Sequence, residues 1–282
     1  ALGILRLVAE QADPDAAGCW QREVFVLHSR LDRDGLLQFF LRDYQPTPIL
    51  APWNGGSGFY PNDNQSARKA IEAGTAPRFG RIRHSIQAAR AAVARAGLKA
   101  KPDSAQKERL LLLCRSSFPD ASLVWLDAAF VLTVEGAKYP PLLGTGGNDG
   151  RLEFTNNFMQ RLIEVFDPKT GTPTPATPSL LEAALFGHAA RVPLTRAPVG
   201  QFLPGSAGGA NATTGFAGEA SVNPWDFILM LEGAVLFATA AVRRLESAEP
   251  GVMACPFCVR QVGAGYASAD LADAERAGHH SR

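Results

Sequence analysis

Three loops carry the residue types most able to do chemistry: Pro52 to Asn64 (PWNGGSGFYPNDN), Leu143 to Asn157 (LGTGGNDGRLEFTNN) and Gly200 to Gly218 (GQFLPGSAGGANATTGFAG). Glycine lets backbone amides turn toward an anion at close range. Asparagine offers two donors and an acceptor, enough to read a base edge or meet a phosphate without a charge of its own. The same residues are also the ordinary currency of tight turns, so each loop has a purely structural reading beside the functional one. In the second loop, Arg151 and the Asn156/Asn157 pair stand just ahead of a predicted helix, whose first amides favour anions.

A second signal is electrostatic. Ala73 to Pro102 contains Arg78, Arg81, Arg83, Arg90, Arg95, Lys99 and Lys101 and no acid. On a helix, Arg83 and Arg90 share one flank, while His84 and Arg95 lie opposite the apolar stripe. One-signed stripes of this kind suit a phosphate backbone. The net charge of the whole chain is +1, so any polyanion site must be local.

Catalytic motifs fare worse. Gly55-Gly56-Ser57-Gly58-Phe59 has Phe59 where a nucleophile elbow needs glycine. In the run Gly144 to Gly150, Asp149 occupies the last glycine of a dinucleotide fingerprint. No P-loop or paired-His zinc motif occurs, and the five histidines form no nucleophile-base set. Cys255-Pro256-Phe257-Cys258 supplies half a zinc site, and His279 and His280 follow at a workable spacing. Without a second Cys pair, two small buried thiols are the better reading, so neither metal nor cofactor is expected. Glu232, alone in an apolar helix, is expected to pair with an arginine or an amide for structural reasons.

The elements that must position these residues are mostly helices. Helical spacing predicts Leu31 to Tyr44, capped by Asp32, and Arg81 to Gly97, closed by Gly97 at the C-cap. Further helices are predicted over Lys107 to Arg115, Ser122 to Val134 and Asn157 to Phe166, the last with Asn157 and Gln160 as a capping box. Asn223-Pro224-Trp225-Asp226 is the clearest helix start, and that helix is expected to run to about Leu245 as the buried centre. Strands are predicted at Glu23 to His28 and Pro256 to Val262. The fold expected is therefore α+β, predominantly helical, with short strands, irregular Gly/Asn loops and no doubly wound sheet. A Pro/Thr linker at 167–178 is expected to divide an N-terminal region (1–166) from a helical one (179–282). The sequence opens partway through a helix with no cap before it, which predicts a piece of a longer chain. With no apolar run long enough to span a bilayer and no signal peptide, the expected location is cytoplasmic.

PWNGGSGFYPNDN, LLGTGGNDGRLEFTNNFMQRL, GQFLPGSAGGAN and NPWDFILMLEGAVLFATAAVRRL, in this order and spacing, resemble the large subunit of the type I-G (formerly I-U) CRISPR-associated Cascade complex, across nearly the whole chain. Members of that family are much longer, so the resemblance marks this chain as an N-terminal part. It implies a non-catalytic subunit beside a CRISPR guide RNA, with Cascade backbone and guide-processing subunits as neighbours. Such a subunit recognises the protospacer-adjacent motif in target double-stranded DNA, supports R-loop formation and recruits a helicase-nuclease. Base pairing then reads the sequence while protein reads a short motif and shape. On this reading, Asn54, Asn62, Asn64, Asn148, Arg151, Asn156 and Asn157 are candidates for DNA or guide contact, and Arg78, Arg81, Arg83 and Arg90 for phosphates. One competing class is a small-molecule enzyme holding a phosphorylated ligand in the Gly/Asn loops. Another is a scaffold that binds only protein subunits through exposed apolar patches.

Overall fold

In a computed structural model, residues 1–133, 136–140, 154–198, 219–242 and 252–254 are described. Helix α1 (Leu2–Gln11) leads into a hairpin of β1 (Ala17–Gln21) and β2 (Val24–His28), then α2 (Arg33–Gln38), which widens into a π-helical turn over Phe39–Asp43. Helices α3 (Ser66–Ala73), α4 (Gly80–Arg95), α5 (Ser104–Ser117) and α6 (Asp120–Ala129) follow the first Gly/Asn loop. A small hairpin of β3 (Val131–Thr133) and β4 (Gly136–Lys138) precedes α7 (Phe154–Val165) and α8 (Thr177–Phe186). Strands β5 (Thr195–Pro198) and β6 (Glu219–Val222) pair beside α9 (Pro224–Ala234), and β7 (Ala240–Val242) pairs with β8 (Val252–Ala254). Every described sheet is a two-stranded antiparallel ladder, so the fold is α+β and mostly helical, as the sequence predicts.

Helix α9 is the hub and packs against α1, α7 and α8. Asn223 caps it, accepting from Trp225 N at 3.1 Å, and ties it to α8 by donating to Leu180 O at 2.7 Å. Trp225 is fully buried among Phe40, Tyr44 and Phe166, with ring centroids 5.6–5.8 Å away. Helix α1 crosses α9 where Gly3 meets Gly233. A Cβ on Gly3 would lie 2.0 Å from Leu229 O, so only glycine permits this approach.

Glu232 sits at that crossing, wholly buried. Its Oε2 accepts from Arg6 Nη1 at 2.8 Å and Thr47 Oγ1 at 2.5 Å, and its Oε1 from Tyr44 Oη at 2.6 Å and Thr47 N at 2.9 Å. Arg6 also donates to Glu232 O and Thr47 Oγ1. Burial alone would lower the Arg6 pKa, but the charges of Glu232 and Glu10 outweigh it and raise it. The Tyr44 phenol is pushed up by burial and by the carboxylate beside it.

Several boundaries differ from expectation. Helix α9 ends at Ala234, well before Leu245, because the chain tightens into a 3₁₀ turn over Val235–Phe237 and extends into the β7–β8 ladder. Apolarity all round the helix hid that change of period. Helix α6 stops at Ala129, where Phe130 turns extended and the β-rich Val131–Thr133 pairs with β4. Helix α7 begins at Phe154, so Asn157 lies inside the first turn and does not form the expected cap. Asp32 and Gly97 do what was predicted: Asp32 accepts from Gly35 N at 2.7 Å, and Gly97 follows α4 with φ +71°. The strand predicted at 256–262 lies outside the described residues.

Residues 167–178 are no loose linker. Pro168 O accepts from Ala76 N, Lys169 O from Thr75 Oγ1, and Val165 O from Thr174 N and Thr177 Oγ1. Buried residues before and after this segment belong to one apolar cluster. Among the described residues, no helix is long and apolar enough to cross a membrane.

Removing one member of a buried ion pair strands the other. Arg6→Met is expected to cost about 3–5 kcal/mol by urea unfolding, and the double variant R6M/E232M to recover part of that loss. The β1–β2 hairpin supplies a pH prediction. At its base Asp13 accepts from Arg30 N (2.7 Å), Ser29 Oγ (2.8 Å) and Arg30 Nε (2.8 Å), and these bonds, the Arg30 amide foremost, hold its carboxyl down at about 2 against an ordinary 3.8. A depressed carboxylate stabilises the fold above its unfolded pKa and loses that contribution as pH falls through the folded value. Urea midpoints of the native chain should fall between about pH 4 and 2, and Asp13→Asn should flatten that part of the curve.

Candidate nucleic-acid interface

The loop at 52–64 is folded around its own anion. Asp63 accepts from the amides of Gly56 (2.8 Å), Gly58 (2.9 Å) and Tyr60 (3.1 Å). Two of these are glycine amides of the kind that can turn toward an external anion, and here they are turned toward Asp63. Its carbonyls are equally engaged: Tyr60 Oη donates to Pro52 O, Ser57 Oγ to Asn54 O, Arg68 Nε to Gly58 O, and Gln65 Nε2 to Tyr60 O. Gly58 has φ +88°, and a Cβ there would lie 3.2 Å from Asn156 Oδ1, so its glycine is required twice over.

Asn156 reaches this loop from the first turn of α7 and is buried. Its Nδ2 donates to Gly56 O at 2.8 Å and Asn64 O at 2.9 Å, and its Oδ1 is buried without a partner among the described residues. Asn156 is therefore a clamp on the loop, not a nucleic-acid contact. A second correction concerns Arg78. It is buried, donates to Leu41 O (2.7 Å) and Arg42 O (2.9 Å), and lies 3.7 Å over the Phe166 ring. Burial lowers its pKa to about 10. Its guanidinium is turned into the interior, where Nη1 has no partner among the described residues. A stripe of like charge along the sequence does not reveal which arginines turn inward.

The remaining candidates divide. Arg83 is half-buried and donates to Ala76 O at 2.8 Å. Arg90 is largely exposed but pairs with Glu72 at 3.0 Å. Arg81 is exposed and has no ion-pair partner among the described residues. Asn62 is exposed, Asn157 is half-buried on α7, and Asn54 and Asn64 sit at the rim of the loop. Asn148, Arg151, the loop at 200–218 and the Cys255/Cys258 pair lie outside the described residues.

The structure leaves several basic residues exposed between α4 and the loop. Arg81, His84 and Arg95 lie on one exposed side of α4, at helical spacings of three and eleven residues. The connector after α4 then brings Lys101 against Gly55, where a Cβ would lie 3.0 Å from Lys101 Cδ. From α5, Lys107 Nζ donates to Asn54 Oδ1 at 3.1 Å and stands 4.6 Å over the Tyr139 ring. The basic helix and the Asn/Gly loop are thus neighbours. Lys107 opens the helix predicted over Lys107 to Arg115 but is not among the sequence candidates, because it lies outside the acid-free basic run; α5 begins three residues earlier, at Ser104, after the Asp103/Gln106 capping box. Among the described residues, no three His, Cys, Asp or Glu side chains are grouped closely enough to hold a metal ion.

No protein-family model matches this chain, and none of the curated proteins matches it. Its function must therefore be argued from its own residues. Because Asn156 holds two buried carbonyls, Asn156→Ala is expected to lower stability by about 1–3 kcal/mol in thermal or urea unfolding. At a temperature where the variant remains folded, its deficit should be in stability and not in nucleic-acid affinity.

Proposed function

We propose that this chain is the N-terminal part of a non-catalytic large subunit of a type I-G CRISPR Cascade complex. In this reading it binds guide RNA and target duplex, recognises the protospacer-adjacent motif and supports R-loop formation before a helicase-nuclease is recruited. The four sequence blocks supply the resemblance. The observation that carries the nucleic-acid reading is the exposed basic side of α4, Arg81, His84 and Arg95, on a helix whose following connector brings Lys101 against the loop that bears Asn54. Phosphate contacts of this sort position a protein on nucleic acid, and base-edge contacts from an adjoining loop add specificity.

The competing small-molecule enzyme needs loop amides turned toward a phosphorylated ligand. In the loop at 52–64 those of Gly56, Gly58 and Tyr60 point at Asp63, which removes the support that reading drew from this loop.

The test is a gel-shift salt series with the full-length protein in its guide-RNA complex and target duplexes that differ only in the flanking motif. Arg81→Glu/Arg95→Glu is expected to weaken all duplexes alike and to flatten the salt slope by about 0.9 for each phosphate no longer neutralised. An unchanged slope and affinity in this variant would remove the basis for the proposal.

A further inference from the structure

We infer that the loop at 52–64 offers free amide N–H donors at Asn54 and Asn64, whose side-chain oxygens are already engaged by the protein, and so favours hydrogen-bond acceptors on its ligand; this rests on the nucleic-acid reading above. An ammonium group can only donate. The atom of Asn54 that Lys107 Nζ meets at 3.1 Å is therefore the carbonyl oxygen, and the amide cannot be turned round without setting NH₂ against NH₃⁺. Asn64 is fixed in the same sense. Its Oδ1 accepts from Ser66 N at 3.1 Å and Ser66 Oγ at 2.7 Å, and a backbone N–H likewise can only donate. Both side chains have their acceptor engaged within the protein, and each Nδ2, with two N–H groups, is unpartnered among the described residues.

The rest of the loop reinforces the asymmetry. The carbonyls of Pro52, Asn54, Gly56, Gly58, Tyr60 and Asn64 are all engaged internally, and so is the Asp63 carboxylate. Lys101, lying against Gly55, adds a further donor. Through these groups the free hydrogen-bonding capacity is weighted toward donors. On nucleic acid the matching chemistry is a phosphate oxygen, or a base-edge carbonyl oxygen or ring nitrogen. An exocyclic amino group, which is a donor, finds both lone pairs of Asn64 Oδ1 taken and at Asn54 must share the oxygen with the Lys107 ammonium.

Asn→Asp substitutions test this directly, because the aspartate keeps an oxygen facing Lys107 or Ser66 and replaces only the outward NH₂. The protein is the full-length chain in its guide-RNA complex, and the probe is its synthetic target duplex. N54D and N64D are each expected to weaken duplex binding about tenfold, and the neutral N54A also to weaken it. Ala105→Glu, which adds the same charge at an exposed first-turn position of α5, should change binding about twofold or less. Weakening that depends on the flanking sequence assigns the acceptors to base edges, whereas uniform weakening with a shallower salt slope assigns them to phosphates. If N54D and N64D bind like the native chain while R81E/R95E is weakened, the inference fails and the nucleic-acid reading stands. If none of these variants changes duplex binding, both fall.

Discussion

Glu232 is sealed inside the fold with Arg6, Thr47 and Tyr44 closed around it, and the packing of α1 and the segment after α2 against α9 depends on where that carboxylate lies. It joins the start of the chain, the segment after α2 and the hub helix α9. A buried carboxylate is tolerable only with its oxygens fully hydrogen-bonded, and here four donors converge on two oxygens. That demand fixes the rotation of α9 about its axis. The Gly3–Gly233 contact fixes its distance from α1, and Trp225, about two turns away, is thereby set among Phe40, Tyr44 and Phe166.

The same device recurs at smaller scale. Asp63 organises the Gly/Asn loop, and Asp13 anchors the base of the β1–β2 hairpin, each by gathering backbone amides onto one carboxylate. In the loop this has a functional consequence. With the amides of Gly56, Gly58 and Tyr60 drawn inward by Asp63, and the carbonyls of Pro52, Gly56 and Gly58 held by Tyr60, Asn156 and Arg68, that part of the backbone is committed to the loop itself. At the rim, Asn54 and Asn64 keep their amide N–H groups free among the described residues, beside Lys101 and Lys107. A loop built in this way is pre-organised, so binding need not order it.

The sequence made much of this legible where a single residue decides local geometry. The Asp32 and Asn223 caps, the Gly97 terminus and the burial of Ile82, Ile86 and Ala89 on α4 follow from short-range chemistry. The structural role of Glu232 was legible too, because a lone acid in an apolar helix has few alternatives. Its partners were not, since Arg6 and Thr47 are 226 and 185 residues away. Helix ends in apolar runs were hidden for a related reason: neither Ala129 nor Ala234 carries a stop signal, and the adjoining hairpins impose the break. At the candidate site, arginine type and spacing could not separate Arg78, stacked on Phe166, from exposed Arg81 three residues on. Likewise Asn156 and Asn54 look alike in the sequence, although one holds carbonyls in the interior and the other meets a lysine at the surface.

The most direct measurement is ultraviolet cross-linking of the full-length protein, purified together with its guide RNA and bound to target duplex, followed by mass spectrometry of the peptides. Nucleotide adducts are expected on peptides spanning residues 81–107 and on the loop at 52–64, with none at Arg78 or Asn156. Purification without RNA, or adducts confined to other surfaces of the chain, would contradict a nucleic-acid role for this edge.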